Sequence, residues 1–321
     1  MPNTRRPRFG SMGYYPRKRT KKLVASVRCW ANVKEVKPLG FAGYKVGMIH
    51  LMIVNNDQNS MTKGETISCP CTVIECPPLK SASIRFYKKT NYGLKVVGDV
   101  LAENFDKELE RKIIIPKNRK KKTEDIKDFD DLTLVAYTQP KNTGIGKKKP
   151  ELFEIAIGGN KEEKLNYAKG ILGKEIKVED VFKEGNQVDI HAITKGKGLQ
   201  GPMKRFGITL RSHKSEKSRR NPGSLGAWCG QGKTMWRVAH AGQMGYFQRT
   251  ELNKWLLKIG NKTEEINPKS GFTSYGIVKS PYILVKGSVA GPQKRLIRFN
   301  ASIRPNRKIP NEAPIIKEII N

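Results

Sequence analysis

Acidic residues are scarce in this chain. Its 321 residues include 29 Asp and Glu against 62 Lys and Arg, which gives a formal charge of +33 and an isoelectric point near 10.0. Glu216 is the only acidic residue between Lys195 and Arg249. Because so large a charge opposes folding through self-repulsion, we expect an anionic partner that neutralises it. No paired-carboxylate or Ser/His/Asp arrangement stands out either, so the sequence does not predict an enzyme.

Long hydrophobic runs are also missing. The run VGMIHLMIV (46–54) contains a His and is far shorter than the roughly 20 residues that span a bilayer. The first 22 residues hold eight Lys or Arg and no apolar segment, so they do not predict a secretory signal. We therefore expect a cytoplasmic protein without a membrane partner.

Cysteine is the third scarce residue, with five in the chain. An odd number in a chain of this length favours reduced thiols in a cytosol. The spacing of Cys69, Cys71 and Cys76 could suggest zinc, but no fourth ligand lies nearby in the sequence. We predict buried free thiols there, no metal, no cofactor and no small-molecule substrate.

Apolar and polar residues alternate in several segments bounded by Gly, Pro, Asn or Asp, which is typical of strands. The predicted strands lie in 41–57, 64–78, 81–90, 131–140, 186–198, 276–289 and 294–302. Two helices are predicted, a short one in KEEKLNYAKGIL (161–172) and a clearer one in RTELNKWLLKIGNK (249–262). In the second, Leu252, Trp255, Leu256 and Ile259 share one helical face and Gly260 ends it. His50 and His191 fall in strand patterns and are predicted to be packed.

These segments predict a mainly β chain with an inserted α+β region. The expected organisation has five parts. They are an extended basic N-terminal arm (1–35), a discontinuous β domain (36–90 and 185–300), its long central loop (about 196–248), the insertion (91–184) and a C-terminal tail (301–321).

The segment from Lys195 to Arg249 concentrates unusual residues. It holds twelve Lys or Arg, ten Gly and two Trp. So much charge and so little apolar surface predict a loop that does not fold alone, and glycine lets its backbone approach an anionic partner closely. Trp228 lies among small residues, so we favour stacking on RNA bases over a place in the core. Trp236 and Trp255 are interpreted as core residues.

Two motifs in this segment resemble nucleotide-binding loops. Gly196-x-Gly198-x-x-Gly201 matches the dinucleotide fingerprint, but the helix and the acidic residue that it requires are not evident. AWCGQGKT (227–234) resembles a phosphate-binding loop without the apolar strand before it or the helix after it. An RNA-acting NTPase that uses Lys233 is the alternative to RNA binding, and a DNA-compacting protein is a third. RNA is preferred because no helix–turn–helix, zinc-finger or basic-zipper signature is present.

Four strings resemble the universal large-subunit ribosomal protein L-three family in its archaeal or eukaryote-like form. They are GNQVDIHAITKGKGLQGPMKRFG (185–207), GSLGAW (223–228), RVAHAGQMGYFQRTELNK (237–254) and GSVAGPQKRLIRF (287–299), and FAGYKVGM (41–48) also fits. The resemblance implies a closed six-stranded Greek-key barrel of the translation-factor type, with the N-terminal arm and central loop penetrating large-subunit rRNA.

The same resemblance implies a non-enzymatic constituent of the ribosome. It would bind large-subunit rRNA near its 3′ end, act early in subunit assembly, contact neighbouring ribosomal proteins and send its central loop toward the peptidyl-transferase centre. Trp228 would lie at the loop tip. The residues expected to contact RNA are Arg5, Arg6, Arg8, Arg17, Lys18, Arg19, Lys195, Lys197, Lys204, Arg205, His213, Lys214, Lys217, Arg219, Arg220, Trp228, Lys233, Arg237, His240, Gln243 and Arg249.

Overall fold

The structure is a computed structural model that describes residues 15–116, 126, 128–215, 217–226 and 238–320. It divides into two compact units. A basic unit comprises Met1–Lys22 and Ile193–Gln248, and a main unit comprises Leu23–Ala192 and Arg249–Asn321. No helix in the described ranges is long and apolar enough to cross a membrane.

The described residues are mainly β. Their strands are β1 (Gly40–Val54), β2 (Thr66–Glu75), β3 (Leu79–Thr90), β4 (Gly93–Leu101), β5 (Asp131–Tyr137), β6 (Leu152–Ala156), β7 (Glu175–Ile176), β8 (Gln187–Ile193), β9 (Leu199–Gln200), β10 (Gly242–Gln243), β11 (Gln248–Gly260), β12 (Tyr282–Lys286), β13 (Leu296–Ala301) and β14 (Ile316–Ile320). The α-helices are α1 (Lys161–Ile171) and α2 (Pro202–Phe206), and short 3₁₀ turns lie at Lys107–Arg111, Pro140–Asn142 and Thr263–Glu265. All seven predicted strand segments contain a strand, and the predicted short helix is α1.

Seven strands of the main unit form one sheet in the order β13-β8-β11-β12-β2-β1-β14, and β13 also pairs with β1. The pairings of β1 with β2, of β2 with β12 and of β1 with β13 are antiparallel. The strands bury residues such as Phe41, Val73, Leu284 and Phe299, which belong to one continuous hydrophobic core. Burial of this apolar surface supplies the main driving force for folding of the unit.

A second sheet of the main unit has the order β4-β3-β5-β6, with β7 pairing to β3. The inserted α+β region was predicted to begin at residue 91. This sheet also includes β3, which lies before that residue in the chain. The helix α1 packs against β5 and begins where the backbone N–H of Asn160 donates to the carboxylate of Glu163, 3.1 Å away. Gly173, with φ of +78°, follows its end.

The predicted helix at 249–262 is wrong, because this segment is the strand β11. Its apolar spacing imitates a helix for a local reason. Asn253 has φ of +55°, and the register with β12 shifts between Leu256 and Lys258, so the strict alternation of a strand is interrupted twice. Leu252 is 61 % exposed, whereas Trp255 is buried in the core as predicted.

Buried polar groups join segments of the main unit that are distant in sequence. The guanidinium of Arg298 donates to the carbonyl oxygens of Ala25 at 2.9 Å and of Glu154 at 2.6 Å. Burial lowers the pKa of Arg298 to about 10. The carboxylate of Asp189 accepts the backbone N–H groups of Asn253 at 2.8 Å and Ile303 at 3.1 Å, which fixes the start of the C-terminal tail.

The histidine and cysteine predictions have mixed outcomes. His191 is buried as predicted, and burial together with the charge of Arg298 lowers its pKa. His50 is exposed on β1, so the prediction that it is packed is wrong: the side chain falls on the outward face of the strand. Cys69, Cys71 and Cys76 are buried free thiols, as predicted, and burial raises the pKa of Cys71 to about 12.

Candidate nucleic-acid interface

Positive charge is concentrated in the basic unit. This unit holds about a quarter of the residues but carries 19 Lys and Arg against one acidic residue, Glu216. It therefore contributes +18 of the formal charge of +33. Every ion pair between described residues lies in the main unit.

A small two-stranded sheet holds the base of the central loop. The strands β9 and β10 pair antiparallel, with Gly242 opposite Gln200. Beside them, Lys197 donates its backbone N–H to the carbonyl of Met244, and Met244 donates to Gly198, both at 2.9 Å. Gly245 lies so close to the carbonyl of Lys195, with φ of +71°, that a side chain cannot be accommodated there. Glycine at position 245 therefore permits the backbone of this segment to lie close to the backbone at Lys195.

Arg17 connects the N-terminal segment to the central loop. Its guanidinium lies 4.5 Å from the ring centre of Tyr15 and 4.4 Å from that of Phe206 at the end of α2. A guanidinium between two aromatic faces gains cation–π and stacking energy. Arg17 therefore serves an internal contact in this structure.

Arg205 reinforces the same contact from the loop side. It lies 5.1 Å from the ring of Phe206 and donates to the carbonyl oxygens of His240 and Gln243, both at 3.0 Å. Burial and the nearby charge of Arg17 lower the pKa of the Arg205 guanidinium. The side chain of Gln243 also faces inward, donating to the carbonyls of Met244 at 3.3 Å and Gly245 at 3.0 Å.

Arg19 and Thr20 make a second contact between the N-terminal segment and the central loop, at Tyr246. The backbone N–H of Thr20 donates to the carbonyl of Tyr246 at 3.0 Å, and the hydroxyl of Thr20 donates to the same oxygen at 3.3 Å. The guanidinium of Arg19 lies 5.3 Å from the ring of Tyr246. Residues 15–22 and the loop base are thus tied together by backbone bonds and aromatic contacts.

Arg219 is held by its own loop. Its Nε donates to the carbonyl of Arg211 at 3.4 Å, while the backbone N–H of Arg211 donates to the carbonyl of Arg219 at 3.2 Å. One terminal nitrogen of Arg219 lies 3.4 Å from Nδ1 of His213. These contacts turn the chain back on itself and leave the neighbouring lysines outside.

Most of the predicted residues of the basic unit that the structure describes are exposed, including Arg19 and His213, which also make the contacts given above. The exposed side chains are Lys18, Arg19, Lys195, Lys197, Lys204, His213, Lys214, Lys217, Arg220 and His240. A dense set of solvated cations on a scaffold of short backbone bonds is suited to phosphate neutralisation. The sequence did not identify Phe206 and Tyr246, because Arg17 and Arg19, which pack on these two rings, are about 190 and 230 residues away in the chain.

Seven predicted residues stand apart. Arg5, Arg6, Arg8, Trp228, Lys233 and Arg237 lie outside the described residues, as do Trp236 and the phosphate-loop motif at 227–234. Arg249 belongs to β11 and falls in the main unit.

The dinucleotide motif has a corrected context. A helix does begin directly after Gly201, contrary to the sequence interpretation, and it is α2. It spans five residues and is followed by Gly207, whose φ is +68°. A single turn beside exposed lysines lacks the longer helix and the acidic partner that a dinucleotide site requires.

The fold and the candidate interface together define the class of protein to which this chain belongs. A mainly β protein that gathers more than half of its net charge in an acid-poor, glycine-rich unit is a protein suited to lie against a polyanion. The chain belongs to the ribosomal protein L3 family, whose family model matches residues 1–321. This is a family of structural ribosomal proteins and not of enzymes.

Curated relatives agree over nearly the whole length. The chain is 48 % identical over 313 residues to a large ribosomal subunit protein uL3 of Methanobrevibacter smithii, covering 94 % of this chain and 93 % of the relative. It is 48 % identical over 307 residues to uL3 of Archaeoglobus fulgidus, covering 94 % and 92 %. It is 45 % identical over 326 residues to uL3 of Methanocaldococcus jannaschii, covering 98 % and 95 %.

Proposed function

We propose that the chain is a structural constituent of the large ribosomal subunit in the cytoplasm, and that its basic unit binds large-subunit rRNA. The observation that carries the proposal is the set of exposed cations in that unit without a carboxylate partner among the described residues. Membership of the ribosomal protein L3 family supports it independently.

The exposed residues and the internally bound residues of the basic unit would have different roles in RNA binding. Lys195, Lys197 and Lys204 would neutralise phosphates, and each contact would release counterions. Arg17 and Arg205, already engaged with Phe206 and loop carbonyls, would hold the unit in the shape that the rRNA accepts. Preorganisation of this kind reduces the ordering cost of binding.

Finer expectations follow from the resemblance. The chain would bind near the 3′ end of the rRNA, nucleate assembly and contact neighbouring ribosomal proteins. Its central loop would extend toward the peptidyl-transferase centre, with Trp228, Lys233 and Arg237 along it. We also infer that β13, β8, β11, β12, β2 and β1 close into a Greek-key barrel, supported by the pairing of β13 with both β8 and β1.

Co-sedimentation tests the function. The full chain, carrying an affinity tag, is expressed in an archaeal host, and large subunits are washed in high salt before a sucrose gradient. We expect the chain to remain with the subunits in stoichiometric amount, because a constituent enclosed by rRNA is retained when loosely bound proteins dissociate. Release into the wash, with subunits that lack it remaining intact, would contradict the proposal. Equal affinity for duplex DNA and rRNA at one salt concentration would favour the DNA-compacting alternative.

A further inference from the structure

The hairpin of β3 and β4 in the main unit carries an aromatic ring that the core does not use. Thr90 pairs with Gly93, so Asn91 and Tyr92 form a two-residue turn. Tyr92 is fully exposed, with a relative accessibility of 103 %. Tyr92 is followed along β4 by the exposed apolar residues Leu94, Val96 and Val97, and a group of exposed apolar residues marks a binding position more often than a single one does.

Three lysines surround this tip. Lys88 and Lys95 lie directly opposite each other across the hairpin, an arrangement of like charges that destabilises a strand pair. Lys88 is compensated by an ion pair with Asp128. The side chains of Lys89 and Lys95 have no ion-pair partner among the described residues, although the carboxylate of Asp130 accepts the backbone N–H of Lys89 at 2.6 Å. Three lysines against the two carboxylates of Asp128 and Asp130 leave the tip with a net positive charge that an anion would stabilise.

An apolar strip runs from the tip along β4. Leu94 and Val96 are two positions apart, so they lie on the same face of the strand, and both are exposed. Lys89 lies opposite Leu94 and shares the face of the strip, whereas the Lys88–Lys95 pair falls on the other face. A ligand that offers both negative charge and flat apolar surface fits the tip best. A nucleotide with an unstacked base has both properties.

The hairpin is held rigidly at its base. Phe86 is fully buried and lies edge-on to Phe129, with ring centres 4.9 Å apart. On the other face, Arg85 makes a bidentate pair with Asp99 at 2.8 Å, and the hydroxyl of Tyr87 donates to Glu154 at 2.7 Å. A fixed base positions the tip before a ligand arrives, which lowers the entropy cost of binding.

We propose that the tip Lys88–Lys95 is a second RNA-binding site, which takes unpaired bases of a loop or bulge in the rRNA. Tyr92 stacks on a base, and Lys89 and Lys95 contact the flanking phosphates. The site uses none of the residues of the basic unit, and it rests on the proposed function because it requires rRNA as the neighbour. The net positive charge of the tip favours RNA over a protein that would dock on Leu94 and Val96 alone.

Photo-crosslinking of the full chain tests the site. The probe is the large-subunit rRNA of Methanobrevibacter smithii transcribed with 4-thiouridine, and crosslinked peptides are identified by mass spectrometry. We expect a crosslink within residues 88–95 in addition to crosslinks in the basic unit. Tyr92→Ala should weaken rRNA binding about fivefold, the factor that corresponds to one lost stack of roughly 1 kcal/mol. Tyr92→Phe should bind as the unchanged chain does.

Matched variants and outcomes separate the two proposals. Met61→Ala removes an equally exposed apolar side chain from the β1–β2 loop and should leave the affinity unchanged. Crosslinks in the basic unit but none in 88–95, with Tyr92→Ala binding normally, would overturn the second site and leave the proposed function standing. Absence of crosslinks everywhere would overturn both. If a lysine-reactive crosslinker applied to intact subunits joins residues 88–95 to a neighbouring protein while the 4-thiouridine probe gives no crosslink there, the occupant is a protein and the RNA site is wrong.

Discussion

At the scale of single residues, three arginines of the basic unit differ in role from its lysines. Arg17, Arg205 and Arg219 are half-buried and bind rings or carbonyls of the chain itself, whereas the lysines are exposed. The planar guanidinium stacks on aromatic rings and donates in several directions, while the ammonium of lysine is strongly hydrated. The sequence correctly indicated a cationic segment but could not separate these roles.

We predict that Arg17→Met frees the N-terminal segment. Methionine keeps an apolar stem but loses the cation that lies between Tyr15 and Phe206. Since a cation–π contact contributes about 0.5–2 kcal/mol, limited trypsin cleavage after Lys18 and Arg19 should accelerate roughly two- to thirtyfold. The measurement is the cleavage rate of the full chain followed by mass spectrometry.

The control for this prediction is Asn91→Ala, an exposed substitution in the main unit that leaves intact both the contact of Arg17 with Tyr15 and Phe206 and the tryptic sites after Lys18 and Arg19. It should be cleaved at the rate of the unchanged chain. Equal rates for Arg17→Met and the control would mean that the hydrogen bonds of Thr20 to Tyr246 hold the segment alone.

At the scale of elements, the strands were predictable wherever alternation was regular. β1, β3 and β8 were found because Gly, Asn, Pro or Asp residues bound apolar runs of suitable length. β11 was missed because the positive φ of Asn253 and the bulge between Leu256 and Lys258 interrupt the alternation of apolar and polar residues along the strand. Neither feature can be recognised from the spacing of apolar residues in the sequence. The contacts of Arg17 were missed for another reason: sequence spacing carries no information on contacts between distant segments.

Two glycines in regular elements give predictions of opposite sign. Gly260, at the end of β11, pairs with Tyr282, whose buried ring occupies the space that a side chain would need. Gly260→Ala should lower the free energy of unfolding by about 1–3 kcal/mol, as overpacked substitutions do. Gly170 lies in α1 with open space around it, so Gly170→Ala should raise that free energy by about 0.5–1 kcal/mol.

The measurement for both glycines is urea denaturation followed by tryptophan fluorescence. Gly170→Ala is the matched control, because it adds the same methyl group to the same unit. If Gly260→Ala is neutral, the ring of Tyr282 moves aside, and its packing does not limit the geometry of the β11–β12 pair.

At the scale of the whole molecule, charge is distributed unevenly between the two units. The main unit pairs many of its charges, as in the contacts of Glu151 with Lys112 at 2.9 Å and with Lys147 at 2.6 Å. The basic unit has a single acidic residue with which to pair. The total charge indicated a polyanionic partner from composition, but only the structure separates cations bound internally from those left in solvent.

The last prediction tests whether the salt dependence of RNA affinity is controlled by the position of the lysines in the basic unit or by the total charge of the chain. Replacing Lys195, Lys197 and Lys204 by Gln removes three exposed charges from the basic unit. Replacing Lys63, Lys262 and Lys269 by Gln removes three exposed charges from the main unit and serves as the control. Each lost phosphate contact reduces the slope of log affinity against log salt by about 0.7–0.9, so the slope of the first variant should be smaller by roughly 2–3.

The slope is measured with large-subunit rRNA over a series of salt concentrations, and the control variant should retain the slope of the unchanged chain. Both variants have the same net charge, so a long-range field alone would change the two slopes equally. Equal changes would therefore contradict the prediction, because the exposed lysines of the basic unit would contribute no more to phosphate contact than those of the main unit. A loss confined to the first variant would locate counterion release in that unit, because counterions are released only where a cation replaces them at the phosphate.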